Sequence, residues 1–261
     1  MRLVGRGYRW LVSIKSSYAI AVGITMASAI IGALEMPAAQ VSSSGPGPVA
    51  LHVVSASPKV VLTIGDSIMK GYGLSPGQAW PFLVASADHW QLTNVACNGA
   101  GVLKVGSPND CDENFARIID SHSTLSPDIV IFEGSSNDFG LPDADLTAAT
   151  ITELADIRTT FPKAQIFGFS TLWGSTAPPA QLTDVNSQVR AAVQQVGGTY
   201  VDLEQPMSGH PELMQSDDIH PNAQGQAVIA RTVEADLSAI ARADKLREAR
   251  ISSGLRSRRM Q

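Results

Sequence analysis

The sequence predicts an α/β fold, a three-layer αβα sandwich around a central, mostly parallel sheet of five strands. Two observations support this prediction. Short β-rich apolar runs alternate with helical stretches along residues 59–241, which is the pattern of βαβ units with helices on both faces of the sheet. The chain also has 261 residues, 44% of them hydrophobic and only 16% charged, so it can bury the core that such a sandwich needs.

The predicted elements follow one another in strict alternation, with no internal repeat. Strands are expected at 60–64, 91–95, 128–132, 165–169 and 199–202. Helices are expected near 78–87, 113–122, 146–160 and 181–196, and a last helix over 221–241 closes the domain.

The two ends of the chain differ from this domain in composition. Four basic residues precede an uncharged apolar run from Ser16 to Leu34, which is the layout of a secretory signal. We therefore expect residues 1–39 to direct export and to be cleaved. The alternative is an uncleaved membrane anchor, because about 17–20 apolar residues can span a bilayer. Residues 40–58, rich in Ser, Gly and Pro, are predicted to be a linker.

The C-terminal segment 242–261 carries seven basic and two acidic residues. We expect it to be a frayed helix end followed by a disordered, solvated tail. Residues 40–241 have the opposite balance, eight Lys and Arg against 21 Asp and Glu, which gives a net charge of −13. Because nucleic-acid binding depends on neutralising phosphates, we expect no nucleic-acid partner. An acidic domain also repels anionic substrates, which favours neutral ones.

The strand predicted at 60–64 runs directly into Gly65-Asp66-Ser67. Ligands of open α/β sheets bind at the carboxyl ends of the strands, so this position would present the Ser67 hydroxyl to solvent on a rigid element. A serine hydroxyl becomes a good nucleophile only when an oriented base takes its proton. Ser67 is therefore a candidate nucleophile that needs a partner, and Asp66 is expected to support the turn by hydrogen bonding.

The partner is found in Asp217-Asp218-Ile219-His220, just before the last helix. Asp217 and His220 are three residues apart, so one turn can bring the carboxylate to imidazole Nδ1 and leave Nε2 free for Ser67. A surface turn in which Asp caps the helix is the structural alternative. Asp218 could also supply the carboxylate, but its side chain is expected to point elsewhere.

Acyl transfer also needs donors for the developing oxyanion. The predicted second strand ends in a glycine-rich loop that contains Gly99 and Gly101, whose backbone N–H groups could point inward. The third ends in Ser135-Ser136-Asn137-Asp138, in which Asn137 would be a side-chain amide donor.

These four segments, in this order, resemble the SGNH hydrolase family, also called GDSL esterases and lipases, over roughly residues 58–241. The resemblance implies the flavodoxin-like SGNH fold, with Ser67 as nucleophile and oxyanion donor and Asn137 as a further donor. Gly99 matches the glycine of the second block better than Gly101 does. The sequence departs from the family where Ser135 replaces the glycine of the Gly-x-Asn-Asp block and Gly134 comes one residue earlier.

In the last block of the resemblance, Asp217 and His220 correspond to the remaining triad members. The predicted function is that of an exported serine esterase acting on lipid, acyl-sugar or small carboxylic esters through an acyl-enzyme. No cofactor or metal is expected, because five scattered His do not suggest a zinc site, and the protein is expected to be a monomer. The alternatives are a metal-dependent phosphoesterase built on Asp66, Asn137, Asp217 and His220, and a non-catalytic binding module on the same fold.

One aromatic residue and two cysteines are further candidates for the predicted site. Trp173 follows the fourth strand and could line a substrate pocket or pack in the core. Cys97 and Cys111 are the only cysteines, and export would place them in an oxidising compartment where such a pair commonly forms a disulfide. We expect this disulfide to hold the loop that carries Gly99. Two unpaired thiols are the alternative.

Overall fold

The structure is a computed structural model that describes residues 57–75 and 77–259, with side chains as far as Ser253. The predicted leader (1–39) and all but the last two residues of the predicted linker lie outside the described residues. Within the described part of the chain, no helix combines the length and the apolarity needed to cross a bilayer.

The predicted α/β fold is confirmed. Five strands form one sheet in the order β2-β1-β3-β4-β5, and all neighbouring strands run parallel. Each strand lies where the sequence predicts it, with ends that differ by no more than one residue: β1 (Val60–Ile64), β2 (Gln91–Asn94), β3 (Ile129–Glu133), β4 (Gln165–Phe169) and β5 (Thr199–Val201).

In the described residues, six α-helices connect or follow the strands: α1 (Ser67–Lys70), α2 (Trp80–Ala87), α3 (Phe115–Ser121), α4 (Asp143–Thr160), α5 (Gln181–Gln195) and α6 (Ala223–Arg259). Short 3-10 helices cover Ser136–Asp138 and Pro211–Leu213. The prediction that the last helix ends near residue 241 is wrong, and the expected disordered tail is helical through Arg259. Residues 242–259 contain no proline and carry seven Arg and Lys residues, which are good helix formers, so the helix can continue past residue 241.

Two apolar clusters cover the two faces of the sheet. Side chains of α3, α4 and α5 pack on one face around Phe132 and Ile166. Side chains of α1, α2 and α6 pack on the other face around Ile131 and Phe169. Successive residues of a strand point to opposite faces, which is why neighbours such as Ile131 and Phe132 belong to different clusters. The result is the three-layer sandwich.

The chain connectivity places a crevice at the carboxyl ends of β1 and β3. From β1 the chain passes to β2 on one side, and it then crosses to β3 on the other side. Ligand sites in open α/β sheets form where the strand order reverses in this way. The segments that follow β1, β2 and β3 are the ones that contain Ser67, Gly99 and Asn137.

Candidate active site

Ser67 is the first residue of α1, a single turn that follows β1 directly. Asp66 caps this turn, because its Oδ1 accepts a hydrogen bond from the Ile68 backbone N–H at 2.9 Å. Gly71 ends the turn with φ +80°, a left-handed conformation that favours glycine. Ser67 is 8% exposed. Its hydroxyl is thus held on a short, capped element at the carboxyl end of β1, with limited access from solvent.

His220 joins Ser67 to Asp217. Its Nε2 lies 2.9 Å from Ser67 Oγ, and its Nδ1 lies 2.7 Å from Asp217 Oδ2. The other carboxylate oxygen of Asp217 accepts the backbone N–H groups of Ile219 and His220, both at 3.0 Å. The carboxylate therefore holds the turn and the imidazole together.

The hydrogen bonds at Asp217 also determine its ionisation. Partial burial acts to raise the pKa of the carboxyl group, but the hydrogen bonds from the His220 ring and from two backbone N–H groups outweigh it and hold the pKa at about 2. Asp217 is therefore a carboxylate throughout the neutral range. Asp218 points elsewhere, as expected from the sequence, because its Oδ1 accepts a hydrogen bond from Ser175 Oγ at 2.7 Å.

Ser135 connects the segments that follow β1, β2 and β3. It is fully buried, and its Oγ lies 2.7 Å from Asp66 Oδ2 and 3.0 Å from the Ala100 carbonyl oxygen. The same oxygen accepts the Asn137 backbone N–H at 3.1 Å. Burial raises the pKa of Asp66, and the hydrogen bonds from Ser135 and Ile68 act against that rise. The serine that departs from the family pattern thus ties the segments of the site together.

The Asn137 side chain lies at the wall of the same cleft as Ser67. Its amide nitrogen donates to the Ala100 carbonyl at 2.9 Å and lies 3.1 Å from Ser135 Oγ. The Ala100 contact assigns the amide orientation, since the side-chain oxygen could not donate to a carbonyl. Asn137 therefore presents a donor, and not an acceptor, to the loop after β2.

Gly99 and Gly101 occupy different environments in that loop. Gly99 has φ +77° and lines the cleft. Among the residues that the structure describes, none accepts a hydrogen bond from its backbone N–H. Gly101 instead donates its N–H to the Lys104 carbonyl at 2.9 Å. A Cβ at Gly101 would lie 2.4 Å from Asp138 Oδ2, so this glycine allows the loop to approach the Asp138 carboxylate. The geometry favours Gly99 as the oxyanion donor.

Cys97 and Cys111 form a disulfide, with their Cα atoms 6.0 Å apart. It closes the loop that carries Gly99. Gly106 packs against it, because a Cβ there would lie 2.5 Å from the Cys97 sulfur and 2.9 Å from the Cys111 sulfur. The loop is also pinned by the Ser107 N–H, which donates to the Asn98 carbonyl at 2.7 Å. The backbone around Gly99 is therefore fixed by covalent and hydrogen bonds.

These elements enclose an open cleft of about 480 Å³. Its lining includes the candidate nucleophile, the histidine, both candidate donors and part of the disulfide loop: Ser67, Ile68, Tyr72, Asn98, Gly99, Val105, Gly106, Ser107, Pro108, Ser136, Asn137, Ile219 and His220. Trp173 is not in this lining. It stacks on Phe139 with ring centroids 5.4 Å apart and lines a small adjoining cavity of about 30 Å³ that shares Ile68, Ser136 and Ile219 with the cleft.

The site also includes Tyr72 and Gln215, which no sequence motif predicts. The Tyr72 ring lies 4.4 Å from the His220 ring, centroid to centroid. Gln215 bridges the loop after α1 and the histidine turn. Its side-chain amide donates to the Tyr72 carbonyl at 2.7 Å, and its backbone N–H donates to the His220 carbonyl at 2.8 Å. No local pattern marks either residue, since both contacts arise only when the two segments meet in space.

The residues of the metal alternative do not form a metal site in this structure. Both oxygens of Asp66 accept hydrogen bonds from protein groups, and Asn137 directs its amide nitrogen toward Ala100. Across residues 57–75 and 77–259, no three His, Cys, Asp or Glu side chains are grouped so that they could hold a metal ion.

A serine, a histidine, a carboxylate and nearby N–H donors at one edge of a parallel sheet are the parts that acyl transfer requires. By class, the chain is a serine hydrolase that acts on ester bonds. It belongs to the GDSL-like lipase/acylhydrolase family, whose profile matches residues 63–228. The family resemblance deduced from the sequence is thereby confirmed.

Known relatives agree with this assignment. The chain is 26% identical to a GDSL lipase of Mycobacterium tuberculosis over 189 residues, which is 65% of this chain and 78% of the relative. Among solved structures, it resembles the esterase EstA from Pseudoalteromonas with a TM-score of 0.57 at 18% identity, over 70% of this chain and 99% of that one.

A salicylyl-acyltransferase from a tetracycline biosynthetic pathway also has a TM-score of 0.57, at 23% identity, over 72% of this chain. The match spans only 56% of the acyltransferase. At these identities, the structural likenesses show the fold.

Proposed function

We propose that this protein is an exported serine esterase that hydrolyses neutral carboxylic esters through an acyl-enzyme. One observation carries the proposal. Ser67 Oγ, the His220 ring and the Asp217 carboxylate form a continuous chain of contacts of 2.9 and 2.7 Å. This is the arrangement in which a histidine can take a proton from a serine while a carboxylate orients the ring.

In the first half of the reaction, Ser67 Oγ attacks the ester carbonyl and its proton passes to His220 Nε2. Asp217, ionised at neutral pH, stabilises the imidazolium that forms. The negative charge develops on the carbonyl oxygen, where the backbone N–H groups of Ser67 and Gly99 and the Asn137 amide would donate to it. His220 then gives its proton to the leaving alcohol, and the acyl group remains on Ser67.

In the second half, His220 takes a proton from water, and the resulting hydroxide attacks the acyl-enzyme carbonyl. The tetrahedral intermediate collapses, the proton returns to Ser67, and a carboxylic acid leaves. Asn137 participates by turning the amide hydrogen near Ser135 toward the oxyanion. Ser135 Oγ keeps its contact with the Asn137 backbone N–H at 3.1 Å, so the loop keeps its support during this movement.

The substrates are expected to be lipid, acyl-sugar or small esters without charge near the ester bond. The acidic balance of residues 40–241 supports this expectation, because it disfavours anionic substrates. Export is supported by the basic and apolar pattern of residues 1–39 and by the Cys97–Cys111 disulfide, since disulfides persist in oxidising compartments. If the leader is not cleaved, it would anchor the enzyme to the membrane.

Hydrolysis of p-nitrophenyl acetate and butyrate by the full chain tests the proposal. The wild type should turn over both esters, with or without a chelator, and Ser67→Ala should lose almost all activity. If activity required added Mg²⁺ or Mn²⁺ and disappeared in the chelator, a metal-dependent mechanism would replace the serine mechanism. A wild type with no turnover and no covalent reaction with a fluorophosphonate would instead indicate a binding module.

A further inference from the structure

Exposed apolar side chains collect at the cleft that holds Ser67. Among the described residues, eight large apolar side chains are exposed, and three of them line this one cleft: Tyr72 (47% exposed), Val105 (54%) and Ile219 (56%). They come from three separate segments, namely the loop after α1, the disulfide loop and the histidine turn. Apolar side chains that gather from distant segments around one concave site mark a ligand-binding surface.

Among the described residues, His220 is the one acidic or basic side chain that lines the same cleft. Within the part of the chain that the structure describes, no Asp, Glu, Lys or Arg lines it. Asp217 lies behind His220, on the far side of the ring from Ser67. A ligand in this cleft would therefore meet apolar surface, backbone and hydroxyl groups, but no charge partner of its own.

Two of the three apolar residues are neighbours of His220, Tyr72 in space and Ile219 in the chain. The Tyr72 ring packs against the imidazole at 4.4 Å, and Ile219 precedes His220 in the same turn. In a serine esterase the histidine delivers a proton to the oxygen of the leaving alcohol. The leaving oxygen must therefore face His220 during that step, and Tyr72 and Ile219 are the exposed apolar residues of the cleft that adjoin this histidine.

We propose that Tyr72 and Ile219 form the binding surface for the leaving alcohol and select esters of uncharged, apolar alcohols. This inference rests on the proposed esterase function and adds the alcohol preference to it. Apolar area removed from water favours binding in proportion to that area. A longer alkyl alcohol would cover Tyr72 and Ile219 in the transition state, whereas a methyl alcohol would leave both exposed.

The test compares esters that share an acyl group but differ in the alcohol. For the full-length wild type, kcat/KM for hexyl butyrate should exceed that for methyl butyrate by about tenfold, a modest gain for several methylenes because the cleft is open. Ile219→Ser and Tyr72→Ser should each reduce this ratio to about threefold or less. The ratio is insensitive to a general loss of active enzyme, so partial misfolding of either variant does not change it.

Ile251→Ser is the matched control, since Ile251 is 57% exposed on α6 and does not line the cleft. It should keep the wild-type ratio. The acyl side is tested with methyl hexanoate against methyl butyrate. If Ile219→Ser changed this acyl ratio and left the alcohol ratio intact, the surface would bind the acyl chain and the proposal would be wrong.

An equal preference for methyl and hexyl alcohols in an active wild type would also overturn the inference while leaving the esterase function in place. A wild type that hydrolyses neither these esters nor p-nitrophenyl acetate and butyrate would instead refute the proposed function, and the alcohol preference would fall with it.

Discussion

At the scale of single residues, the Ser135 hydroxyl makes hydrogen bonds that a glycine could not make. Its hydroxyl contacts Asp66, Ala100 and Asn137 within 3.1 Å from a fully buried position. A glycine at this position would leave Asp66 Oδ2 without this donor in a buried environment. Such an unpaired buried oxygen is unfavourable. We therefore expect the buried position of Asp66 to require the Ser135 hydroxyl.

We predict that Ser135→Ala lowers kcat by about one to two orders of magnitude, with little change in KM, because displaced donors affect the transition state more than substrate binding. Steady-state kinetics with p-nitrophenyl butyrate measures this, and Ser187→Ala, an exposed serine on α5, is the control. A Ser135→Ala enzyme with wild-type kcat would show that the network around Asp66 is not needed for turnover.

Asn137 gives a second prediction at this scale. Asn137→Ala removes the proposed amide donor to the oxyanion, so kcat should fall by about 10²–10³-fold. Reaction of Ser67 with a small ester should remain detectable, because the serine–histidine contact does not involve Asn137. Pre-steady-state kinetics measures the reaction of Ser67 with the ester separately from overall turnover. A loss smaller than about threefold would mean that the amide stays bound to Ala100 and Ser135 during the reaction.

At the scale of elements, the disulfide loop and the buried Gln226 hold the site to the scaffold. Gln226 of α6 accepts the Trp80 backbone N–H and donates to the Ile68 carbonyl, both at 2.8 Å. It therefore links the closing helix to α2 and to the turn that carries Ser67. The disulfide spans a sequence separation of 14 residues and constrains the loop after β2.

We predict that the double variant Cys97→Ala/Cys111→Ala loses about 3 kcal/mol of unfolding free energy, the entropy expected for a loop of this length. Its kcat should also fall, because the backbone that presents Gly99 is then less constrained. Urea denaturation and ester kinetics measure the two effects. Reducing agent should lower wild-type activity and leave the double variant unchanged. A variant with wild-type kcat would show that the loop functions without the disulfide.

At the scale of the whole molecule, buried carboxyl groups make stability depend on pH. Glu153 on α4 is 3% exposed, and one of its oxygens has no partner among the described residues. Burial raises its pKa to about 9. Between pH 4.5 and 9 the folded state keeps this proton, whereas the unfolded state has lost it. The folded state therefore loses stability as pH rises through this range, by up to about 1.4 kcal/mol per pH unit.

We predict that Glu153→Gln flattens this dependence, because a neutral amide cannot ionise in the unfolded chain. Free energies of unfolding at pH 5, 7 and 9 provide the test, with Glu248→Gln on the exposed surface of α6 as control. The free energy of unfolding of Glu153→Gln minus that of the wild type should increase with pH. A constant difference across the range would show that Glu153 ionises equally in both states.

The sequence was sufficient for the features that depend on local pattern. The strands β1, β3 and β4 are short apolar runs, and all five strands were predicted to within a residue at either end. Asp217 and His220 could be paired because they are three residues apart. The contact of Ser67 with His220 spans 153 positions, and the sequence indicated it only through chemistry and family resemblance.

The remaining features depend on which segments meet in space. Tyr72 and Gln215 join the site because the histidine turn packs over the loop after α1, an arrangement that the order of the strands creates. The length of α6 was underestimated because the charge balance changes near Arg242, whereas helix propensity does not. Trp173 has no local signal that separates a pocket from packing, and in the structure it packs on Phe139.

Covalent labelling shows whether Ser67 is a nucleophile that His220 activates. The full chain is treated with a fluorophosphonate, and the modified residue is identified by peptide mass spectrometry. We predict one adduct per chain, located on Ser67, which forms equally well in chelator and much more slowly in His220→Ala. An adduct on another serine, or unchanged labelling of Ser67 in His220→Ala, would contradict this prediction.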